Sequence, residues 1–571
     1  MTNWKIKSPD PQLVANLQKE FKAPEIIATV LANHNIYSVE QSREFFSPEI
    51  SMLHDPFLIP DMEKGAKYVA KLVSSNKKIL VFGDYDVDGI TGASMLYLFL
   101  KSLGADVEVY IPNREKDGYG LSKTGVDYSA DIGAELIITC DCGINAFESV
   151  NYANERNIKV IITDHHTTDT KLPDAYAILN PKIEGCKYPF RDLCGGGVTF
   201  KLASAVAIIL KVDPDLVLKH IDLITLGTAA DIVPLVDENR IIVYNGLRLL
   251  GDSDKPGIRA LLKVSGLSDK ELTVGRLVFW IAPRINAAGR MGDPSRAIKL
   301  LTTDNFSEAV QLANQLDQEN RNRQEIQKTI VDEALRKVNA EIDLQRNRAI
   351  VLWKDGWHPG VIGIVASKIR EEYSRPTVII SLDGDTGKGS ARSIPGFDLY
   401  ENLTQCAHYL DDYGGHPMAA GLSVSEDNLH DFRSKFVSQA NTLLSDDDLV
   451  NTISIEGEMS LSIINSRFME FLDKLAPYGP GNMRPIFLTK KISVSGTPKL
   501  VGAGSDHLRF TAKQNGTSYD CIGFNLAKHY EHLITGEPVD IVYVVEENEW
   551  QGQRSIQLNI RDIKPSSEVI Q

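Results

Sequence analysis

Asp84, Asp86 and Asp88 stand on alternate positions and are closed by Gly89. Three carboxylates packed this tightly repel one another unless a cation lies between them, and a divalent metal ion is the simplest candidate. The residues before them, Ile79 to Gly83, form a short apolar run of the kind a buried parallel strand makes. Ala93-Ser-Met-Leu-Tyr-Leu-Phe-Leu100 then reads as a helix. A strand therefore delivers clustered carboxylates to its carboxyl end, where open α/β sheets put their sites. Asp-x-Asp-x-Asp-Gly also opens a calcium EF-hand loop. That loop follows a helix and carries a glutamate at its twelfth position, where this chain has Met95. A solvated acidic turn accounts for one aspartate better than for three at the end of an apolar strand.

Other predicted strands also end in polar groups. Leu136–Thr139 runs into Cys140-Asp141-Cys142-Gly143, and Val160–Thr163 into Asp164-His165-His166. Further on, Asp231 stands where the apolar helix around Leu226 meets the turn Ile232-Val-Pro234. Asp84, Asp86, Asp88, Asp141, Asp164, His165, His166 and Asp231 are donors enough for two adjacent divalent ions. Ions about 3.5–4 Å apart clamp the attacking and leaving oxygens of a phosphodiester displacement. Asp86, Asp88, Asp141 and Asp164 are the leading ligands, with Asp141 placed to bridge. His165 or His166 acts instead as an acid or orients the scissile phosphate. Mixed carboxylate and imidazole donors favour Mn2+, with Mg2+ as the alternative.

These residues need a scaffold, and 571 residues are enough for about three to four domains. A hydrophobic content of 43% is ordinary for a globular chain. No run of apolar residues is long enough to predict a transmembrane helix, and Met1-Thr-Asn-Trp-Lys-Ile-Lys lacks a signal-peptide core. Six cysteines in so long a chain do not make a disulfide framework, and a reducing, cytoplasmic setting is expected. The net charge of -15 argues by itself against a nucleic-acid partner. A metal site accounts for part of that deficit, and local basic patches must then carry any polyanion.

Residues 1 to about 75 are polar and helical in pattern, broken by Pro9, Pro11, Pro56 and Pro60. From Lys77 short apolar strands alternate with amphipathic helices: Ile79–Phe82, Val107–Ile111, Leu136–Thr139 and Val160–Thr163 are the strands. Their spacing predicts a doubly wound parallel sheet. Asn305 to Ile342 lacks glycine and proline and predicts one or two long helices bridging domains. A second α/β unit follows, with strands Ala349–Leu352 and Thr377–Ile380. Its helix Val361–Arg370 is opened by His358-Pro-Gly360, which leaves N-terminal amides for an anion. Gly384 to Arg392 fails as a P-loop, because no Ser or Thr follows Lys388 and the glycine spacing is wrong. As a glycine-rich turn presenting Ser390 and Arg392 it still suits a phosphate. From Ile453 the pattern is all β, with strands at Lys491–Ser495, His507–Lys513, Tyr519–Phe524, Val539–Val545 and Ser555–Ile560. Asn515-Gly516 is a hairpin signal, and Glu549-Trp550-Gln-Gly-Gln553 closes another hairpin. Strands so arranged fit an OB barrel, which binds single strands by stacking beside a basic groove. Lys499, Lys513, Tyr519 and Trp550 are candidate contacts there.

Asp164-His165-His166 is the motif that names the DHH phosphoesterase superfamily, and Asp84 to Gly89, Asp141 and Asp231 match its other motifs in order. Within it the chain resembles the RecJ-type single-strand exonucleases. The likeness rests on Pro283-Arg-Ile-Asn-Ala-Ala-Gly-Arg290, Trp357-His-Pro-Gly-Val-Ile-Gly363, Gly389-Ser-Ala-Arg392, Gly414-Gly-His416 and Leu475-Ala-Pro-Tyr-Gly-Pro-Gly-Asn482. It covers roughly residue 50 to the C-terminus. The resemblance implies a DHH catalytic domain with an N-terminal extension (1–300), a connecting helix (301–346), a DHHA1 domain (347–447) and an OB domain (448–571). It implies 5′-to-3′ exonuclease action on single-stranded DNA, releasing 5′ mononucleotides, in DNA repair and recombination. It also implies substrate contacts from Arg114, Arg284, Asn286, Arg290, Ser390, Arg392 and His416, with Arg114 and the Gly-Ser-x-Arg stretch holding a 5′ phosphate and Arg284, Arg290 or His416 stabilising charge on the phosphoryl oxygens. Gly414-Gly-His416 would face the metals across a cleft. A monomer is expected, without a membrane, with a helicase and a single-strand-binding protein as candidate partners. Two alternatives stand beside this: a DHH phosphodiesterase of short oligonucleotides or cyclic dinucleotides, and a catalytically inactive single-strand-binding relative.

Overall fold

The computed structural model describes residues 2–113, 117–118, 120–168, 171–550 and 553–566, apart from the side chains of 549, 550 and 553. Arg114 and the Trp550 side chain lie outside the described residues.

The first domain is built on a five-stranded parallel sheet in the order Val107–Tyr110, Ile79–Gly83, Leu136–Cys140, Lys159–Thr163, Ala177–Leu179. Its strands are apolar because both faces are covered. Ile79 and Val81 enter one core and Leu80 and Phe82 the other, as alternation along a strand requires. The last strand is too short to show in the sequence pattern. The chain leaves Ile79–Gly83 for one edge and returns on its other side at Leu136–Cys140, which makes the gap between their carboxyl ends the switch point of the sheet. The helix after the first strand runs Val87–Ser102, starting earlier than the apolar pattern suggests. Asp86 is the reason: its Oδ1 caps the helix by accepting the Gly89 N–H at 3.1 Å. Asp88 therefore stands in the first helical turn.

One 36-residue helix, Phe306–Glu341, joins the two α/β domains. Its Ala309, Leu312 and Leu316 belong to the first domain's core, and its Ile330, Ala334 and Val338 to the second's. The second sheet is mixed, in the order Asp412–His416, Ala419–Ser425, Thr386–Arg392, Thr377–Asp383, Ile350–Asp355. Ser390 and Arg392 therefore lie on a strand, not on the glycine-rich turn expected. Gly387 and Gly389 serve close packing: a Cβ on them would come within 2.8 Å of Ile380 and 2.6 Å of Leu422. Gly414 to His416 likewise belongs to an edge strand.

The C-terminal sheet closes into the OB barrel, because Phe487–Val501 pairs with both His507–Gln514 and Val539–Trp550. The N-terminal segment, grouped from sequence with the first domain, packs elsewhere. Val14, Leu17, Ile27 and Leu31 share a core with the barrel's Phe468, Phe487 and Tyr543. Asn3–Ile6, unforeseen as a strand, pairs in parallel with Thr452–Ile455. No helix among the described residues is long and apolar enough to cross a membrane.

Candidate active site

Strand register places three carboxylates abreast. Gly83 pairs with Cys140, and Cys140 with Thr163, so Asp84, Asp141 and Asp164 each follow a strand end at the same level. The ladder continues through them: Asp84 N–H donates to Cys140 O at 3.2 Å, Asp141 N–H to Thr163 O at 2.9 Å, and Asp164 N–H to Leu179 O at 3.1 Å. Asp141 takes a left-handed conformation, φ 63°, at this strand end.

A second set of elements closes around them, and its glycines escaped the sequence reading. The helix Gly195–Leu210 aims its N-terminus at the cluster, and the Gly196 N–H donates to both Asp88 oxygens at 3.2 Å. A Cβ on Gly195 would lie 2.4 Å from Asp141 Oδ1, and one on Gly227 would lie 2.4 Å from Asp88 Oδ1. The backbone thus comes too close to the carboxylates for any side chain. The run Gly195-Gly-Gly197 at the head of a buried apolar helix was the available signal.

Donor atoms converge in three overlapping groups, each within 4.8 Å: Asp84, Asp86 and Asp141; Asp141, His165 and His166; Asp88, His165 and Asp231. Asp141 and His165 each belong to two of them. His165 Nε2 lies 3.3 Å from Asp141 Oδ1 and 3.5 Å from Asp231 Oδ2. Asp164 is engaged differently. Its Oδ1 accepts from His166 Nδ1 at 2.7 Å and from the His165 and His166 backbone N–H groups, and its Oδ2 accepts from Ile144 N–H.

The electrostatics fit divalent cations. Burial, and then the neighbouring carboxylates, push Asp84 and Asp141 well above the usual carboxylate range. The same causes raise Asp88 to about 7 and Asp231 to about 9. Burial and the His166 charge drop His165 to about 3. Asp84 Oδ1, Asp141 Oδ1, Asp231 Oδ2 and both His165 nitrogens are buried without an aligned hydrogen bond. Buried polar atoms in native proteins have partners. Here the missing partners are acceptors of carboxylate and imidazole lone pairs, which is what Mn2+ or Mg2+ supplies. His166 differs: burial works against its charge, but the Asp164 hydrogen bond and the charges of Asp164, Asp84 and Asp86 together outweigh it and raise its pKa.

The second domain reaches this cluster through His416, whose ring lies 6.4 Å from that of His166, nearly parallel. Ser390 Oγ accepts from Arg392 Nη1 at 3.0 Å. Both sit against the first turn of the helix Ile362–Tyr373, where a Cβ on Gly363 would lie 3.0 Å from Ser390 Oγ and 3.1 Å from Arg392 Nη2. A hydroxyl, a guanidinium and a helix N-terminus together suit a phosphate.

The remaining predicted residues divide. Arg290 bridges the domains, donating to Gly360 O at 3.3 Å. Half-buried Asn286 lies on the same helix, Ala282–Met291. Arg284 is turned to the connecting helix, where its Nη2 stands 2.8 Å from Asp317 Oδ1. In the barrel, the Tyr519 hydroxyl donates to Ile464 O, while Lys499 and Lys513 are exposed. Lys182 was not anticipated. Its charge acts on His165, Asp231 and His416, and its N–H donates to Asn180 Oδ1, whose side chain in turn donates to His166 O. A lone lysine in a loop carries no motif.

A switch-point cluster of carboxylates and imidazoles, met by His416 from a second α/β domain, defines a metal-dependent DHH phosphoesterase. Family models agree: the DHH family N-terminal domain matches residues 78–228, the DHHA1 domain 346–442 and the RecJ OB domain 455–562. The chain is 36% identical to the single-stranded-DNA-specific exonuclease RecJ of Bacillus subtilis, over 98% of this chain and 70% of that one. It is 33% identical to that of Haemophilus influenzae, over 97% and 100%. Among solved structures, RecJ from Thermus thermophilus in complex with Mn2+ superposes with a TM-score of 0.83 at 28% identity, covering 98% of this chain and 79% of that one. Its Mg2+ complex gives a TM-score of 0.78 at 27% identity, covering 99% and 78%. The chain belongs to the RecJ family of exonucleases.

Proposed function

We propose that this protein hydrolyses phosphodiester bonds of single-stranded DNA from the 5′ end, releasing 5′ mononucleotides. The observation that carries this reading is the convergence of unpartnered carboxylate and imidazole donors at the strand ends, met from the second domain by His416, whose ring lies 6.4 Å from that of His166. Asp84, Asp86, Asp88, Asp141, His165 and Asp231 would hold two divalent cations. When bound, these supply Lewis-acid polarisation of the phosphoryl group and a lowered pKa for the attacking water.

The chain's own residues do the rest. Ser390, Arg392 and the amides of the Ile362–Tyr373 helix grip the 5′-terminal phosphate, which sets which bond is cut. Asp164 acts as a positioning residue: it holds His166 by Nδ1, so Nε2 is the nitrogen that meets the scissile phosphate. His416 closes on the substrate from the other side. Lys182 adds positive charge where the phosphoryl oxygens gather. Arg290 holds the cleft together, and Arg284 braces the connecting helix. Lys499 and Lys513 offer the barrel surface to the departing strand, and local cations of this kind reconcile a net charge of -15 with a polyanionic substrate. The setting is cytoplasmic repair and recombination, with a helicase and a single-strand-binding protein supplying strands to a monomer.

The test is a Mn2+-dependent assay on 5′-labelled single strands, duplexes and cyclic dinucleotides. Labelled mononucleotide released from single strands is the expected result. Cleavage of the cyclic dinucleotide alone would overturn the proposal.

A further inference from the structure

The sequence motif Leu475-Ala-Pro-Tyr-Gly-Pro-Gly-Asn482 lies in the barrel domain, yet no step of the reaction uses it. The structure shows it as a knob folded on itself. Buried Asn482 donates through Nδ2 to Leu475 O at 2.8 Å and Pro477 O at 2.9 Å. Arg240 of the first domain, only 2% exposed, grips the knob from below. Its Nη1 donates to Leu475 O and Pro477 O, its Nη2 to Lys474 O and Ala476 O, and its Nε to Phe45 O. The guanidinium also lies 3.8 Å over the Phe45 ring. Carbonyls at the end of the Ser466–Leu475 helix lack intrahelical donors, so a buried cation is well matched to them.

The other side of the knob presses on Pro234-Leu-Val236. Leu235 N–H donates to Pro480 O at 2.6 Å. A Cβ on Gly479 would lie 2.5 Å from Leu235 Cδ1, and one on Gly481, at φ 72°, would lie 3.2 Å from Pro234 Cβ. This clamped segment leads back to Asp231, the C-cap of the Ile221–Ala230 helix. Between them Ile232 takes φ 61° with its side chain 66% exposed. A β-branched residue rarely adopts that conformation, and it persists only where its surroundings over-determine it. Ile232 has little side-chain packing of its own, so the constraint comes from the segment on either side. Asn239 also ties the clamp to the segment that leads into the Gly195–Leu210 helix, donating to Pro234 O at 3.0 Å and to Asp192 O at 2.6 Å.

We propose that the Leu475–Asn482 knob, locked by Arg240, sets the position of Asp231, so that the barrel domain completes the metal centre as well as holding the strand. Arg240, Asn482 and Gly481 are positioning residues in this view, which rests on the metal-site reading above.

The experiment uses the full chain with Arg240→Met, Asn482→Ala and Gly481→Ala, the last straining the knob at φ 72° and crowding its contact with Pro234 and Val236. Mn2+ binding is measured by calorimetry without DNA, backbone exchange at 231–236 by mass spectrometry, and turnover on both long single strands and a 5′-phosphorylated dinucleotide too short to reach the barrel. Weakening of Mn2+ binding by about tenfold is expected, with faster exchange at 231–236. Turnover should fall equally on both substrates, with the KM for long strands unchanged. A raised KM for long strands with Mn2+ binding and dinucleotide turnover intact would overturn the proposal. Asp141→Ala separates the two layers: Mn2+ binding retained there defeats the metal-site reading itself. Binding lost there but intact in all three knob variants defeats only the positioning role.

Discussion

His166 of the first α/β domain and His416 of the second lie nearly parallel, with ring centroids 6.4 Å apart and planes 13° apart. No other pair of predicted site residues joins the two faces of the cleft by a ring contact among the described residues. Asp164 fixes the first ring through Nδ1, and the edge strand Asp412–His416 carries the second.

Removing the second ring should therefore impair turnover without touching the metals. His416→Ala is expected to lower kcat by about 10²-fold, the scale of a lost acid–base or polarising group. Calorimetric Mn2+ binding should be unchanged. Full turnover in this variant would remove His416 from the reaction.

The Ser390 and Arg392 cradle predicts discrimination at the strand end. Arg392→Ala should raise KM for 5′-phosphorylated strands by about 10- to 100-fold, the value of one or two charge-assisted hydrogen bonds. Strands with a 5′ hydroxyl should show little change. Equal losses on both would assign Arg392 to general structure.

Like charges held in a buried cluster cost stability when no cation is bound. Asp141→Asn should thus melt at a higher temperature than the parent in chelator. Parent protein saturated at a hundredfold excess over its Mn2+ Kd should gain about 2.7 kcal/mol, and the variant should lose this gain along with its activity. A variant that melts lower in chelator would contradict the repulsion argument.

Gly195→Ala should act on the same carboxylate from behind. Its Cβ would fall 2.4 Å from Asp141 Oδ1, so Mn2+ affinity should drop by about 10- to 100-fold. The same Cβ would lie 2.6 Å from the Asp141 Cα, so backbone must shift and the melting temperature in chelator should fall as well.

Away from the cleft, His220 sets a pH dependence of stability. It is buried, neither ring nitrogen has a hydrogen bond, and burial with the Lys255 and Lys219 charges lowers its pKa to about 3. The unfolded chain takes up a proton near the ordinary value of about 6.5, while the folded chain does not. The contribution is therefore fully present above that value. It is lost as pH falls toward 3, by about 1.4 kcal/mol per pH unit. His220→Phe should flatten the fall between pH 6 and pH 4 in denaturant titrations. An unchanged slope would show that the ring is protonated in the fold.

The strand-end aspartates could be read from the chain because their signal is local: an apolar run, then a carboxylate. Parallel pairing turned that into geometry, since a common register sets Asp84, Asp141 and Asp164 at one level. The helix cap by Asp86 shifted an element boundary, because capping depends on one side chain and not on periodicity. Ser390 and Arg392 hid on a strand because Gly387 and Gly389 erase the alternation that marks one.

Arg284 illustrates the limit of motif reading. Its residue type suits a phosphate, but Asp317, on another helix, reaches it first. The same holds for the N-terminal helices, which join a core completed more than four hundred residues later in the chain. Residue order alone determined which groups could bind metal, which segments could carry them and which family the chain resembles. Tertiary structure decided which oxygens remain without a donor, which glycines make room for them, and which cations are already paired. Those outcomes depend on distances between segments far apart in the chain, and a pattern that repeats every two or four residues contains no such distance.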